Sequence, residues 1–343
     1  VLKSNAYGHG LALAARVFDK LQPPFLVVDS LYEAYELKKL RLKTPILIMG
    51  YTHHSNLLYK QLPFHWAVFD LATAQALNQT QRHCQIHIFV DTGMHREGVS
   101  LSELDAFLDS LQSLPHIQVV GLCSHFADAD GIDPTADEHT KRQMRAFHEA
   151  VQIFRKHGLN PVWRHIAASA GTLKKLGNHD CTMARVGLAS YGISPLPYLK
   201  KNKQSSETKL QPALRFISTI AQVKHLEKGD WIGYGASFTA KQPMTIALLP
   251  AGYYEGIDRR LSNKGSVYVR GVCCQIVGRV SMNMTCIDVT EVNNVRVGDT
   301  VEVIGADLAK KNSAATCAVI AETIPYELLV HLASTVRRTL VLE

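Results

Sequence analysis

The chain has 343 residues, of which 46% are hydrophobic and 20% charged, proportions typical of a folded globular protein. The formal net charge of +7 comes from lysines and arginines spread along the chain, without a basic stretch interleaved with aromatics, so we expect no nucleic acid partner. No apolar run reaches the roughly 20 residues that a membrane span requires. The seven cysteines are scattered and show no zinc-ligand spacing, so we expect no metal site and a cytoplasmic location.

Short β-rich apolar runs alternate with amphipathic helical segments through the first two hundred residues. The predicted strands are residues 1–2, 25–28, 46–49, 66–69, 86–90, 119–122, 162–166 and 183–188. Eight such runs, apolar throughout and separated by helices, are typical of a parallel (β/α)8 barrel of the TIM type. The first run is already ending where the chain begins, so we expect further residues upstream of Val1.

The pattern changes after residue 200. Residues 200–209 are polar and lack apolar periodicity, which favours a linker, although a solvated loop within one domain would look the same. Beyond them, short strands are separated by glycine turns such as Gly229-Asp230, and short helices are predicted near 313–321 and 326–333. We therefore expect an α/β barrel domain over residues 1–207 and a mostly β domain over residues 208–343.

In a parallel barrel, catalytic groups lie where the strands end, on the carboxyl face. The polar residues at the predicted strand ends are Lys3, Arg96, His125, His165, Ser169 and Arg185. Each of these alone is more often a solvated surface group than a catalyst. Their convergence on one face predicts an active site, in which a partly desolvated lysine flanked by cations is a nucleophile for an aldehyde.

The stretch VLKSNAYGHG around Lys3 resembles the lysine signature of the alanine racemase family, V-x-K-A-N-A-Y-G-H-G. Other family motifs follow in order: DTGMHREG (91–98), SHFADAD (124–130), HIAASA (165–170), RVGLASYG (185–192), GYGASFTA (233–240), GYYEG (252–256), GRVSMN (278–283) and IPYE (324–327). The resemblance covers essentially the full length. It implies an isomerase that depends on pyridoxal phosphate (PLP), interconverts L- and D-alanine and works as a homodimer with shared active sites.

The resemblance also implies catalytic roles. Lys3 would bind the aldehyde of PLP and serve one face of the substrate, and Tyr234 of the partner subunit would serve the other face. Arg185 would lie against the pyridine nitrogen, with His125 and His165 near the cofactor. Because a guanidinium stays protonated, that nitrogen would only accept a hydrogen bond. His125 and Arg185 are candidates to supply the hydrogen bond or positive charge that a phenol needs in order to act as a base.

The binding roles follow the same resemblance. The phosphate of PLP would be held by Tyr7, Ser169, Tyr326 and the backbone amides of Gly187 and Leu188. The substrate carboxylate would be received by Arg96 and by the backbone N–H of Met282, again from the partner subunit. Tyr253 and Tyr326 would narrow the entrance and select small side chains. The biological role would be to supply D-alanine for peptidoglycan.

Three positions depart from the family pattern. Phe89 stands where many members carry a lysine, modified by carbon dioxide, that supports the substrate-binding arginine, so Arg96 needs another support such as a bound anion or Asn283. Asn283 itself replaces an acidic residue, and Ala168 replaces an asparagine. Three alternatives stay open: a serine or broad-specificity racemase of the same fold, a non-catalytic PLP-binding barrel, and a barrel-fold amino-acid decarboxylase.

Overall fold

The computed structural model describes residues 1–57, 61–131, 133–177, 180–196 and 210–341. The chain divides into two compact units, one of Val1–Ala6 with Leu11–Thr208 and one of Tyr7–Gly10 with Lys209–Glu343. The predicted linker at 200–209 lies outside the described residues. In the described part of the chain, no helix is both long enough and apolar enough to cross a membrane.

The first unit is built on a parallel sheet in the strand order β1-β2-β3-β4-β6-β7, with a short β5 paired to β4. The strands are β1 (Leu26–Val28), β2 (Ile46–Ile48), β3 (Phe64–Val68), β4 (Cys84–Asp91), β5 (Val99–Ser100), β6 (Ile117–Cys123) and β7 (Trp163–His165). The helices are α1 (Lys3–Tyr7), which ends in the second unit, α2 (Leu11–Asp19), α3 (Leu31–Lys39), α4 (Leu71–Thr80), α5 (Leu101–Leu111), α6 (Pro134–Lys156) and α7 (Ser169–Leu173). Six of the predicted strands are confirmed, with boundaries that shift by at most two residues.

Two further segments extend this sheet to a closed ring, although neither is a regular strand. The backbone N–H of Leu2 donates to Val27 O at 2.7 Å, and that of Arg185 donates to Ala167 O at 2.9 Å. The amino group of Val1 donates to Val186 O at 2.8 Å, which joins the two ends. The predictions of regular strands at 1–2 and 183–188 are therefore wrong. The first segment enters a turn after two residues, and the second makes isolated backbone hydrogen bonds instead of a continuous ladder. The barrel architecture is confirmed.

The turn that follows the first segment is left-handed. Within α1, residues 4–7 have φ angles of 57°, 55°, 54° and 52°, a conformation that costs non-glycine residues roughly 1–2 kcal/mol each. Local hydrogen bonds offset this strain: Ser4 N donates to Glu33 Oε1 at 2.6 Å, and Leu11 N donates to Asn5 Oδ1 at 2.8 Å. Strain of this kind is typical of functional sites, and here it begins directly after Lys3.

A histidine in the barrel interior lies beside an irregularity in the sheet. His87 on β4 is fully buried, and its neighbour on β6 is Gly121. The register between the two strands shifts between Ile86 and His87, so that Val120 is an extra residue. A Cβ atom at position 121 would lie 2.1 Å from Nδ1 of His87. The glycine and the irregularity together make room for the imidazole ring.

In the part of the second unit that the structure describes, the sheets number three, and two α-helices follow them. Its strands are β8 (Phe216–Thr219), β9 (Gln222–Leu226), β10 (Trp231–Ile232), β11 (Phe238–Thr239), β12 (Met244–Leu249), β13 (Ser266–Val269), β14 (Val272–Gln275), β15 (Thr285–Asp288) and β16 (Thr300–Ile304). They form the sheets β15-β12-β9, β14-β13-β16-β8 and β10-β11, all antiparallel. The helices α8 (Ala314–Ile320) and α9 (Pro325–Val330) lie where the sequence predicts them.

Residues 7–10 belong to this second unit although they lie near the start of the chain. Gly8 has a φ of 80°, and a Cβ there would lie 1.8 Å from Leu329 O, so only glycine fits. The Nε of Arg338 donates to Gly8 O at 2.7 Å. The ring of Tyr7 lies 6.0 Å from that of Tyr326, measured between centroids. The two tyrosines expected to share a phosphate are therefore neighbours.

The fit of Gly121 against His87 predicts a strong local coupling. Gly121→Ala should lower the free energy of unfolding by about 1–3 kcal/mol, because the added methyl overlaps the imidazole ring. In a double variant with His87→Ala, the loss should be smaller than the sum of the two single losses. Equilibrium urea unfolding of all four proteins measures this coupling. Simple additivity would mean that the ring does not require the space at position 121.

Candidate active site

Arg185 is the buried centre of the site in the first unit, with only 6% of its surface exposed. Its Nη1 contacts His165 Nδ1 at 2.5 Å and donates to His165 O at 2.9 Å. Its Nη2 donates to Ser124 O at 2.6 Å and to His125 Nδ1 at 3.0 Å. Within the described residues the structure gives no partner to Nε–H, so this donor remains for a ligand. The structure brings Arg185 together with His125 and His165, three of the polar residues named from the sequence at the strand ends.

Both histidines beside Arg185 are neutral at physiological pH. Burial lowers the pKa of His125 to about 3, and nearby Arg185 acts in the same direction. Burial also holds the pKa of His165 well below its ordinary value, again assisted by Arg185. Because a guanidinium can only donate, each ring accepts at Nδ1 and carries its proton on Nε2. His125 therefore offers a hydrogen bond at this site and not a positive charge.

A chain of imidazoles continues from His165 into the barrel core. His165 Nε2 lies 2.9 Å from His87 Nδ1, and His87 Nε2 lies 3.4 Å from His65 Nδ1. Burial lowers the pKa of His87 to about 3 and that of His65 to about 4. The donor-only Arg185 sets the tautomer of the whole chain, so each imidazole donates from Nε2 to the next. Sequence reasoning missed His65 and His87, which stand out only as polar residues within buried strands.

Lys3 lies where the first segment of the barrel ends, directly before the left-handed turn. Its side chain is 46% exposed, and Nζ lies 3.9 Å from Oδ1 of Asp29, the residue that follows β1. The expectation that cations flank this lysine is therefore incomplete, since its nearest described ion-pair partner is a carboxylate. The amine remains accessible at the carboxyl ends of the strands, where a nucleophile is expected.

Arg96 lies in the loop between β4 and β5, and its partner is the next residue. Nη2 of Arg96 donates to Oε1 of Glu97 at 2.6 Å, and Nε donates to Oε2. Phe89 is buried and supplies no polar group. Asn283, expected as one possible support, instead donates to Glu255 Oε1 at 2.8 Å. Sequence reasoning missed Glu97, although a carboxylate adjacent to the arginine was a visible signal.

The structure brings together Ser169 and Gly187, two of the residues expected to hold a phosphate, but the amide of Gly187 already has a partner. The backbone N–H groups of Gly187 and Ala189 donate to Ser169 Oγ at 3.0 Å and 3.2 Å. Leu188 begins a 3-10 turn, Leu188–Tyr191. Ala168 precedes α7 and offers no side-chain cap. Ser169 Oγ therefore accepts from both amides, so the amide of Gly187 is already paired with Ser169.

The remaining predicted residues lie in the second unit. Tyr234 begins a 3-10 turn, and its side chain is 72% exposed. Tyr253 N donates to Ser281 O at 3.0 Å, which places Tyr253 beside the loop that carries Met282. Met282 is itself exposed, and among the described residues its backbone N–H has no partner. Glu255 joins the two loops, since it accepts from Asn283 and also from Gly252 N at 2.8 Å.

Comparison with known proteins identifies the family. A family model for the alanine racemase N-terminal domain matches residues 1–195, and one for the C-terminal domain matches residues 213–340. The chain belongs to the alanine racemase family. Membership makes it an enzyme of the racemase class, and the match to both domains leaves the non-catalytic barrel and the decarboxylase without support.

Individual alanine racemases are similar to this chain over nearly its full length. The chain is 37% identical to the alanine racemase of Syntrophobacter fumaroxidans, covering 96% of this chain and 86% of the relative. It is 36% identical to that of Citrifermentans bemidjiense, covering 97% and 89%. Among solved structures, alanine racemase from Bacillus anthracis with bound L-Ala-P has a TM-score of 0.86 at 30% identity, covering 97% and 85%. Alanine racemase of Clostridium difficile 630 has a TM-score of 0.88 at 27% identity, with the same coverage.

The buried neutral histidines predict a loss of stability in acid. Their pKa values in the folded state lie below the ordinary 6.5, so unfolding takes up protons below that pH. Stability should be fully present above about pH 6.5 and should fall by about 1.4 kcal/mol per pH unit for each such histidine between there and about pH 4. Urea unfolding of His87→Asn at several pH values between 5 and 7 measures the effect. The free energy of unfolding of this variant should fall less steeply with decreasing pH than that of the wild type.

The matched control for this measurement is His139→Asn, which changes an exposed histidine on α6. The free energy of unfolding of this control variant should change with pH as steeply as that of the wild type. The comparison concerns slopes, so a uniformly less stable His87→Asn protein remains informative. Equal slopes for all three proteins would contradict the neutral state of His87.

Proposed function

We propose that the chain is a PLP-dependent racemase that interconverts L- and D-alanine in the cytoplasm and supplies D-alanine for peptidoglycan. One observation carries the proposal: Arg185 is buried between neutral histidines, with its Nε–H left for a ligand. A buried cation that offers one remaining donor suits a neutral ring nitrogen. The names of the relatives support alanine as the substrate.

The donor set in the first unit fits PLP. Nε–H of Arg185 would meet the pyridine nitrogen, the hydroxyl of Ser169 and the amide of Leu188 would meet the phosphate, and the amine of Lys3 would bind the aldehyde. Tyr7 and Tyr326, which are neighbours in the second unit, would add phenol donors to the phosphate. When bound, PLP delocalises the charge that remains after a proton leaves Cα of the amino acid.

Arg185 would also direct the outcome of the reaction. Because a guanidinium donates and does not accept, it has a hydrogen bond to offer to the ring nitrogen but holds its own proton. With the cofactor bound, negative charge would be withdrawn less completely from Cα, which would favour return of the proton to that carbon over its migration to another atom. The described hydrogen bonds to Ser124 O and His165 O keep the guanidinium in this orientation.

Two groups would move the proton at Cα from opposite faces. Lys3 would serve one face, and Tyr234 of a second copy of the chain would serve the other. An exposure of 72% for the Tyr234 side chain is consistent with a residue that completes the site of another subunit. Other exposed apolar residues of the second unit include Tyr253, Tyr254, Met282 and Met284. Such exposure supports a homodimer with shared sites.

Arg96 and the backbone N–H of Met282 from the partner subunit would receive the substrate carboxylate. Tyr253 and Tyr326 would leave space only for a small side chain, so serine is the main alternative substrate. The function is tested by incubating the PLP-loaded protein with L-alanine or L-serine in deuterated water. Both exchange at Cα and optical inversion are expected, faster with alanine. Exchange without inversion would contradict the use of two bases.

Complementation between two inactive variants tests the shared site. Lys3→Ala and Tyr234→Phe should each lose nearly all racemisation, because each lacks one proton-moving group in every site. Mixed dimers contain one site with both groups intact, so an equal mixture after subunit exchange should recover about a quarter of the wild-type activity. Circular dichroism of each variant checks the fold. A mixture as inactive as its components would exclude a tyrosine supplied by the partner.

A further inference from the structure

We infer that Glu97 is a positioning residue that holds Arg96 in the orientation needed to receive the substrate carboxylate. The inference rests on the proposed function, in which Arg96 binds that carboxylate. It concerns a residue to which the motif comparison assigns no role, since the position after Arg96 is variable in the pattern D-T-G-M-G-R-x-G.

The loop that carries both residues is held at its base. Oδ1 of Asp91 accepts the backbone N–H groups of Gly93 at 2.9 Å and of Met94 and His95 at 3.1 Å. On the far side of the loop, β5 pairs in parallel with the end of β4. Gly98 closes the loop with a φ of 125°, and a Cβ there would lie 2.4 Å from Asp91 N. The backbone that carries Arg96 and Glu97 is therefore held by hydrogen bonds at the base of the loop and by the pairing of β5 with β4.

The pairing geometry divides the guanidinium into two edges. Glu97 accepts from Nε and Nη2 of Arg96, which occupies one side of the planar group. The Nη1 atom and the second proton of Nη2 form the other edge, for which the described residues provide no acceptor. A guanidinium with five donors binds two carboxylates at once in this way. One edge thus belongs to Glu97, and the other is left for a substrate.

Exposure and charge agree with that division. The side chain of Glu97 is 23% exposed and that of Arg96 is 57% exposed, so the carboxylate lies inside and the guanidinium faces outward. Phe89 on β4 is buried and pairs in register with Cys123, so position 89 supplies no charge to Arg96. Burial lowers the pKa of His125, and the charges of Arg185, Arg96 and Lys3 act in the same direction. The negative charge of Glu97 opposes this concentration of cations, since it acts to raise the pKa of Arg185 against the effect of burial. The pair raises the pKa of Arg96 further above its ordinary value.

Glu97→Gln tests the inference because an amide can accept from only one of the two donors. The variant should raise KM for L-alanine about tenfold, while kcat changes by less than about threefold. The dissociation constant for propionate, which has the carboxylate of alanine but no amine, should rise by a similar factor in calorimetric titration of the PLP-loaded protein. Glu149→Gln makes the same chemical change on the exposed face of α6 and should behave as wild type.

A second variant separates positioning from a general structural role. Arg96→Lys removes the planar fork, so adding Glu97→Gln to it should cause little further loss of propionate affinity. Unchanged propionate affinity and unchanged KM in Glu97→Gln would overturn the inference, as would full additivity of the two substitutions. If the wild type fails to racemise alanine, the proposed function fails, and the propionate titrations still decide whether Glu97 supports carboxylate binding.

Discussion

The site depends on a buried guanidinium that is held by neutral acceptors. Within the described residues Arg185 has no carboxylate partner, although burial lowers its pKa and disfavours its charge. Two carbonyl oxygens and two imidazole nitrogens lie within 3.0 Å of its Nη atoms. Charged hydrogen bonds of this kind contribute about 1.5–3 kcal/mol each, which offsets much of the desolvation. The charge therefore stays buried without being neutralised, and it remains effective toward a ligand.

The histidines around Arg185 extend its influence through the barrel. Because an arginine only donates, one direction of hydrogen bonding is imposed on His165, His87 and His65 in turn. This order requires all three rings to be neutral, and burial provides that condition by lowering each pKa. The strand irregularity beside Gly121 makes room for the central ring. The strand irregularity, the neutral histidines and the buried charge of Arg185 thus depend on one another.

The departures from the family pattern have local partners in this chain. Phe89 removes one support for Arg96, and the adjacent Glu97 provides a carboxylate instead. Asn283 replaces an acidic residue, and its amide donates to Glu255, which also accepts from the backbone of Gly252. A second acidic group would lack the donor that this contact needs. Ala168 is not explained in this way, since it offers no cap to α7.

The sequence by itself determined the alternation of strands and helices, the β-rich second unit, the position of His165 at the end of a strand and that of Lys3 at the end of the first barrel segment. These features depend on periodicity, burial and short motifs, which are local properties of the chain. Only the tertiary structure decided that residues 1–2 and 183–188 join without a regular ladder. It also decided that His87 and His65 extend the hydrogen-bonded chain that begins at Arg185 and His165, and that Glu97 pairs with Arg96. Those outcomes depend on side-chain directions and on register between strands distant in sequence, which no local pattern specifies.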